Sequence, residues 1–389
     1  MPIGYVVTTA LVAWCTFFAA VAPRRPRPLG SMSFWFGLVL NEVPFLGLYV
    51  LLGATALAAV QGDLGSPGAR ATAGVAAATA AGLAVCAWRG LRADRAVGRA
   101  LRQGLGADWQ DRVRVPLRGR RPWALILLRP FPWGRRDVER IADIPYGNAG
   151  RRNLLDVYRR RDAPRGGPVL IYFHGGGYRS GQKSREARPL LHRLAGQGWV
   201  CISANYRLWP QTSFPGHETD AKKVIAWARE HAHRYGADPS MLFVAGSSAG
   251  SNLASLSALT PNDPRFQPGF ESADTSVTAA ICLYGYYDHD VDRPPPHSPL
   301  AHIHSGAPPF FIAHGSRDAL ATVEGARTFA DRLRRVSDNT VVYAELLGGQ
   351  HAFDLFHSPR FEAVVDGVEA FAAWVLAERH PGAQQASSS

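Results

Sequence analysis

The sequence predicts an α/β fold, a mainly parallel sheet with helices on both faces, preceded by transmembrane helices. Three observations carry that expectation. Beyond residue 135, short apolar runs alternate with longer helix-like stretches. Two of the runs end in glycine-rich pentads, His174-Gly175-Gly176-Gly177-Tyr178 and Gly246-Ser247-Ser248-Ala249-Gly250. Residues 3–22, 34–60 and 71–88 hold almost no charge.

A chain of 389 residues with 47% hydrophobic content has room for one large domain plus an accessory region, and it is not intrinsically disordered. Strands are expected at 140–146, 153–158, 169–173, 200–204, 242–245, 277–284, 310–314 and 341–346. Helices are expected at 186–197, 219–235, 251–259, 323–336 and 361–379. A strand pair followed by alternating strands and helices gives a sheet covered on both faces. Ligands of such sheets bind beyond the carboxyl ends of the strands.

Each of the three apolar segments approaches the roughly 20 residues that cross a bilayer. A cleaved signal peptide is the alternative for 3–22, but Met1 to Val7 has no basic residue and two more apolar segments follow. The alanine-rich 71–88 also suits a buried helix. Arg24, Arg25 and Arg27 follow the first segment, and Arg89, Arg92, Arg95, Arg99 and Arg102 follow the third. By the positive-inside rule the amino terminus lies outside, and everything beyond residue 89 is cytoplasmic in a multi-pass cell-membrane protein. With only two spans the large domain would face the other way.

These arginines supply much of the +12 net charge. They fit contact with anionic lipid, or topology alone, and no aromatic-interleaved basic module or zinc-finger spacing points to nucleic acid. The domain plan is therefore a membrane region with a basic collar (1–102), a basic, interfacial linker (103–134), a catalytic domain (135–380) and a frayed tail (381–389). The short apolar run 122–128 within the linker suits a membrane interface or packing on the domain. Cys15, Cys86, Cys201 and Cys282 have no disulfide or metal spacing and read as buried small hydrophobes.

Gly-x-Ser-x-Gly alone is common in a chain with 39 glycines, but here it stands with a His-Gly-Gly-Gly loop, each after a strand. A sharp strand-to-helix turn projects the central serine, so Ser248 and not Ser247 is the expected nucleophile. Gly176, Gly177 and Ala249 would donate backbone N–H groups to an oxyanion. The serine needs a base and the base an orienting acid. His351 and Asp318 both follow strands at the same sheet end, with Asp288 as reserve acid. Tyr178, Trp209, Phe214, Tyr286 and Phe353 flank these loops as candidate pocket walls. Asp288, His289, Asp290, His297, His302 and His304 cluster in a proline-rich loop without metal-ligand spacing, so no metal is expected.

These motifs, together with Asn205-Tyr206-Arg207-Leu208-Trp209-Pro210, make residues 135–380 resemble the hormone-sensitive-lipase-like group of α/β-hydrolase carboxylesterases and lipases. The resemblance implies carboxylic-ester hydrolysis through an acyl-enzyme, without a cofactor, and the membrane segments point to a lipid or lipophilic ester as the substrate. The family often reads Asp-Tyr-Arg-Leu-Ala-Pro where this chain has Asn205 and Trp209. Many members also carry a substantial cap where this chain has only residues 285–308, so a more open pocket is expected. An amide hydrolase or an acyltransferase would use the same triad, and a silent membrane-anchored ligand-binding protein is the reading if the triad is not assembled. The physiological substrate and oligomeric state stay open at this level.

Overall fold

The computed structural model describes residues 3–113, 121–162, 164–288 and 295–379, so the expected tail at 381–389 lies outside them. Among the described residues, eight strands form one sheet in the order β1-β2-β4-β3-β5-β6-β7-β8. These are β1 (Val138–Pro145), β2 (Leu154–Arg160), β3 (Gly167–Phe173), β4 (Val200–Ala204), β5 (Ala237–Ser247), β6 (Ala279–Leu283), β7 (Phe310–Gly315) and β8 (Val341–Leu346). The β1–β2 and β2–β4 pairs are antiparallel. From β4 to β8 every pair is parallel.

The central strands β3 to β7 bury both faces along their paired stretches, while the edge strand β1 is largely exposed, and the central side chains alternate between two cores. Leu170 and Tyr172 of β3 point to one, and Val169, Ile171 and Phe173 to the other.

Twelve α-helices complete the described chain. The N-terminal ones are α1 (Ile3–Ala20), α2 (Arg27–Glu42), α3 (Pro44–Val60), α4 (Pro67–Leu91), α5 (Ala93–Leu105), α6 (Trp109–Arg112) and α7 (Trp123–Leu128). Those among the strands are α8 (Arg188–Gly196), α9 (Gly216–His231), α10 (Ala249–Leu259), α11 (Val323–Val336) and α12 (Pro359–Arg379). Helices α9, α10 and α11 cover one sheet face, and α5, α8 and α12 the other.

Two expectations change. The apolar segment 34–60 is not one helix: α2 and α3 meet at 82°. Pro44 is the cause, because it donates no N–H and drives Val43 out of the helical region, to φ −128° and ψ 60°. The basic collar is also more than topogenic charge. Helix α5 buries Ala93, Ala96, Val97, Ala100, Leu101 and Leu105, packing on β8 and α12 while Arg95, Arg99 and Arg102 stay exposed. Its 3.6-residue period is visible in the sequence but is masked by the arginines between the small apolar positions.

Helices α1 to α4 pack together, and α1 and α2 approach so closely that a Cβ at Gly37 would lie 2.8 Å from the Phe18 backbone. By length and composition α1 and the helix beginning at Pro67 are apolar enough to cross a membrane, with a third span if the bent pair α2–α3 counts as one. The last carbonyls of α1 accept from the large domain and from α4. Arg89 reaches Ala20 O at 2.6 Å, and Arg317 reaches Ala20 O at 3.1 Å and Val21 O. These contacts satisfy groups that a helix end leaves without intrahelical partners.

Candidate active site

Ser248 stands at the turn from β5 into α10 with φ 54° and ψ −118°, a conformation that few residues other than glycine adopt. Its neighbours explain how the turn closes. A Cβ at Gly246 would run into the carbonyl of Gly250, and one at Gly250 would lie 2.6 Å from His174 O. Only glycine permits both approaches. Ser247 points the other way, fully buried, with its hydroxyl 2.7 Å from the Tyr172 hydroxyl and 2.6 Å from Asp354 Oδ2.

His351 Nε2 lies 2.9 Å from Ser248 Oγ, and His351 Nδ1 lies 2.7 Å from Asp318 Oδ2. The structure therefore brings together three residues from the loops after β5, β7 and β8. Asp318 is fully buried. Burial opposes its ionisation, yet His351 and His314 beside it hold the carboxyl well below the usual range. Its Oδ1 also accepts from the N–H groups of Leu320 and Ala321 at 2.8 and 2.9 Å. Such a carboxylate fixes the imidazole and favours its charged form. Asp288 does not take this place, because it lies beside the Tyr286 hydroxyl while Asp318 occupies His351.

The glycine loop bends through φ 117° at Gly176, 59° at Gly177 and 59° at Tyr178. The N–H groups of Gly176 and Gly177 meet no acceptor among the described residues. Ala249 opens α10, where the first N–H groups have no intrahelical partner. The loop is held from behind by Glu186, which sequence reading missed, and by Tyr206 of the 205–210 run. Glu186 accepts from Gly175 N at 2.5 Å, and the Tyr206 hydroxyl donates to His174 O at 2.8 Å. The Tyr206 ring stacks on His174 at 4.4 Å. Burial lowers the His174 pKa to about 4, keeping it neutral. No motif flags Glu186, whose role arises from the chain folding back after the loop.

The Asn205-Tyr206-Arg207 run also has a structural reason. Asn205 Oδ1 accepts from Lys183 N at 2.8 Å, its amide donates to Arg151 O at 2.9 Å, and Arg207 holds Asp220 through two side-chain bonds of 2.7 and 2.8 Å. The amide of Asn205 thus uses a donor that an aspartate would lack.

A cleft of about 770 Å³ opens over Ser248. Tyr178, Trp209, Phe214 and Tyr286 line it, and so do Leu253 and Leu256 of α10. Phe353 does not. It is fully buried, with its ring 4.9 Å from Tyr284, because the chain turns it into the core beneath His351. His297 lines the cleft with its ring 6.1 Å from Phe214, and His302 Nε2 lies 2.9 Å from Pro296 O. His289 and Asp290 lie outside the described residues, among which no group of three metal-type side chains converges. The expectation of a more open pocket meets a wall from outside the large domain: Phe34, Trp35 and Leu38 of α2 line the cleft too.

Beneath the triad, Asp354 accepts from Ser247, Tyr172 and Tyr284, and the Tyr284 ring packs 4.6 Å from His351. Burial, reinforced by the Glu186 carboxylate, raises Asp354 to about 7. This buried set meets the imidazole only through the Tyr284 ring.

Known proteins carry the same arrangement of chain. A family model described as BD-FAE matches residues 155–293. The chain is 40% identical to the probable carboxylic ester hydrolase LipM of Mycobacterium tuberculosis, over 98% of this chain and 95% of that protein. It is likewise 40% identical to the esterase LipQ of the same organism, over 77% of this chain and 79% of that one. Among solved structures, a thermophilic esterase from Thermogutta terrifontis with butyrate bound is 25% identical, with TM-score 0.53, covering 61% of this chain and 93% of that one.

Proposed function

Because the chain belongs to the α/β-hydrolase esterases and is a carboxylic ester hydrolase, we propose that Ser248, His351 and Asp318 carry its reaction and that its N-terminal helices anchor it in a membrane. The single observation that carries the first part is the continuous path Ser248 Oγ, His351 Nε2, His351 Nδ1, Asp318 Oδ2, with separations of 2.9 and 2.7 Å.

In this reading His351 Nε2 takes the Ser248 proton as Oγ bonds to the ester carbonyl carbon, and the carbonyl π pair moves onto oxygen. The N–H groups of Gly176, Gly177 and Ala249 receive that oxyanion. As the carbonyl re-forms, the bond to the alcohol oxygen breaks and His351 passes its proton to the departing alkoxide. Water then repeats the sequence on the acyl-enzyme, releasing the acid and restoring Ser248. Asp318, ionised and buried, stabilises the imidazolium in each half.

The second part is supported by α1 and α4, of 18 and 25 residues, and by α3, whose 17 residues carry no charge and reach the lower end of the spanning range. The exposed faces of these helices carry large apolar side chains, among them Leu11, Trp14, Phe17, Leu52 and Leu57. With α1, α3 and α4 as spans, the arginine-rich segments share one side and the catalytic domain is cytoplasmic. Lipophilic esters are the substrates this placement favours.

Fluorophosphonate labelling and ester turnover by the full chain in detergent test the triad. Both are expected to vanish in Ser248→Ala, and persistent turnover would place the nucleophile elsewhere. A carboxyl-terminal reporter accessible only from outside the cell would overturn the topology.

A further inference from the structure

We propose that α2 is the membrane-facing wall of the catalytic cleft, and that Phe34, Trp35 and Leu38 select esters with a long apolar chain. The inference rests on the esterase and anchoring readings above and names the part of the site that discriminates between substrates.

Three observations converge on it. The first is placement. Phe34 sets its ring 6.0 Å from the His351 imidazole, and Phe34, Trp35 and Leu38 share the cleft with Ser248. The second is attachment. At its carboxyl end α2 is tied to the catalytic domain by a fully buried set of polar groups: Arg360 pairs with Glu42 and donates to Asn41 Oδ1 at 2.9 Å, and Ser358 donates to Glu42 Oε2 at 2.8 Å. Asn41 donates onward to Gly348 O at 3.0 Å, three residues before His351, and to Ala19 O of α1 at 3.1 Å. A helix fastened beside the base of the triad is part of the site, not a neighbour in passing.

The third is direction. Since α2 lies at 82° to α3, it runs close to the membrane plane when α3 stands upright. Arg24, Arg25 and Arg27 precede or begin it, and Trp35 projects from it, 75% exposed. Basic residues and tryptophan favour the headgroup level. Trp35, Trp209, Tyr286 and Leu320 all line the cleft and are 75%, 53%, 47% and 46% exposed, so its mouth has an apolar rim. An acetyl ester fills little of a 770 Å³ space, whereas a long-chain ester has apolar walls to meet along α2.

The test compares hydrolysis of p-nitrophenyl acetate and p-nitrophenyl laurate by the full chain in detergent micelles, with fluorophosphonate labelling to count active sites. Trp35→Ala is the first variant, since an exposed side chain is not needed for folding, and Phe34→Ala and Leu38→Ala follow. Removing one apolar wall is expected to lower the laurate-to-acetate ratio of kcat/KM roughly tenfold. Equal losses on both esters, or no change in the ratio in any variant, would overturn the inference and leave the esterase reading intact. Absence of Ser248-dependent turnover of either ester by the unaltered chain would overturn that reading and the inference with it.

Discussion

The pair Glu42–Arg360 offers a test of how the N-terminal helices are joined to the catalytic domain. Its side chains are 0% and 1% exposed, and the partners come from α2 and from the start of α12. Glu42→Ala leaves a guanidinium in the interior with Asn41 as its remaining acceptor on α2. Breaking a buried pair from one side costs about 3–5 kcal/mol, because the surviving charge is neither solvated nor matched. Ser358 loses its acceptor as well, since its hydroxyl donates to Glu42. At about 1–2 °C per kcal/mol for a chain of this length the thermal midpoint of the full chain in detergent should fall by roughly 3 to 10 °C. The double variant Glu42→Leu with Arg360→Met removes both charges and keeps the volume, so it should recover most of that loss. In the cycle Glu42→Ala, Arg360→Ala and both together, the coupling should reach about 2 kcal/mol. Single effects that simply add would refute the argument that this pair fastens α2 to α12.

Two further expectations follow from the site. Ser248 holds φ 54°, so Ser248→Gly should be more stable than Ser248→Ala by on the order of 1 kcal/mol in thermal unfolding, and an equal or higher midpoint for the alanine variant would argue against backbone strain at the turn. Asp354 binds its proton more tightly in the folded chain, at about 7, than an unfolded aspartate does near roughly 3.9. The stability it contributes is therefore full below the lower value and is lost as pH rises through the higher one. Asp354→Asn should remove that decline between about pH 4 and pH 7, and a decline of the same size in the variant would assign it to other groups.

The order of strands and helices was legible because each element carries its own period or punctuation. The two pentads were legible for a related reason: glycines at Gly246 and Gly250 answer a local steric demand, which sequence displays. Asp318 and His351 were findable only as residues following strands at one sheet end. Phe353 shows the limit of that reasoning, since adjacency to a catalytic loop does not say which way a side chain turns, and this one turns into the core.

The sequence by itself determined the sharp turn at Ser248, the glycine loop and an apolar N-terminal region, all set by interactions within a few residues. Tertiary structure decided what those parts are next to. Only the fold brings Glu186 behind the glycine loop, Asp354 against Ser247 at a separation of 107 positions, and Arg360 against Glu42 at a separation of 318. Read along the chain, Phe34, Trp35 and Leu38 belong to an apolar segment like any membrane span. The bend at Val43 and the buried contacts of Asn41 and Glu42 turn that segment toward Ser248, because hydrophobicity specifies burial but not the surface that provides it.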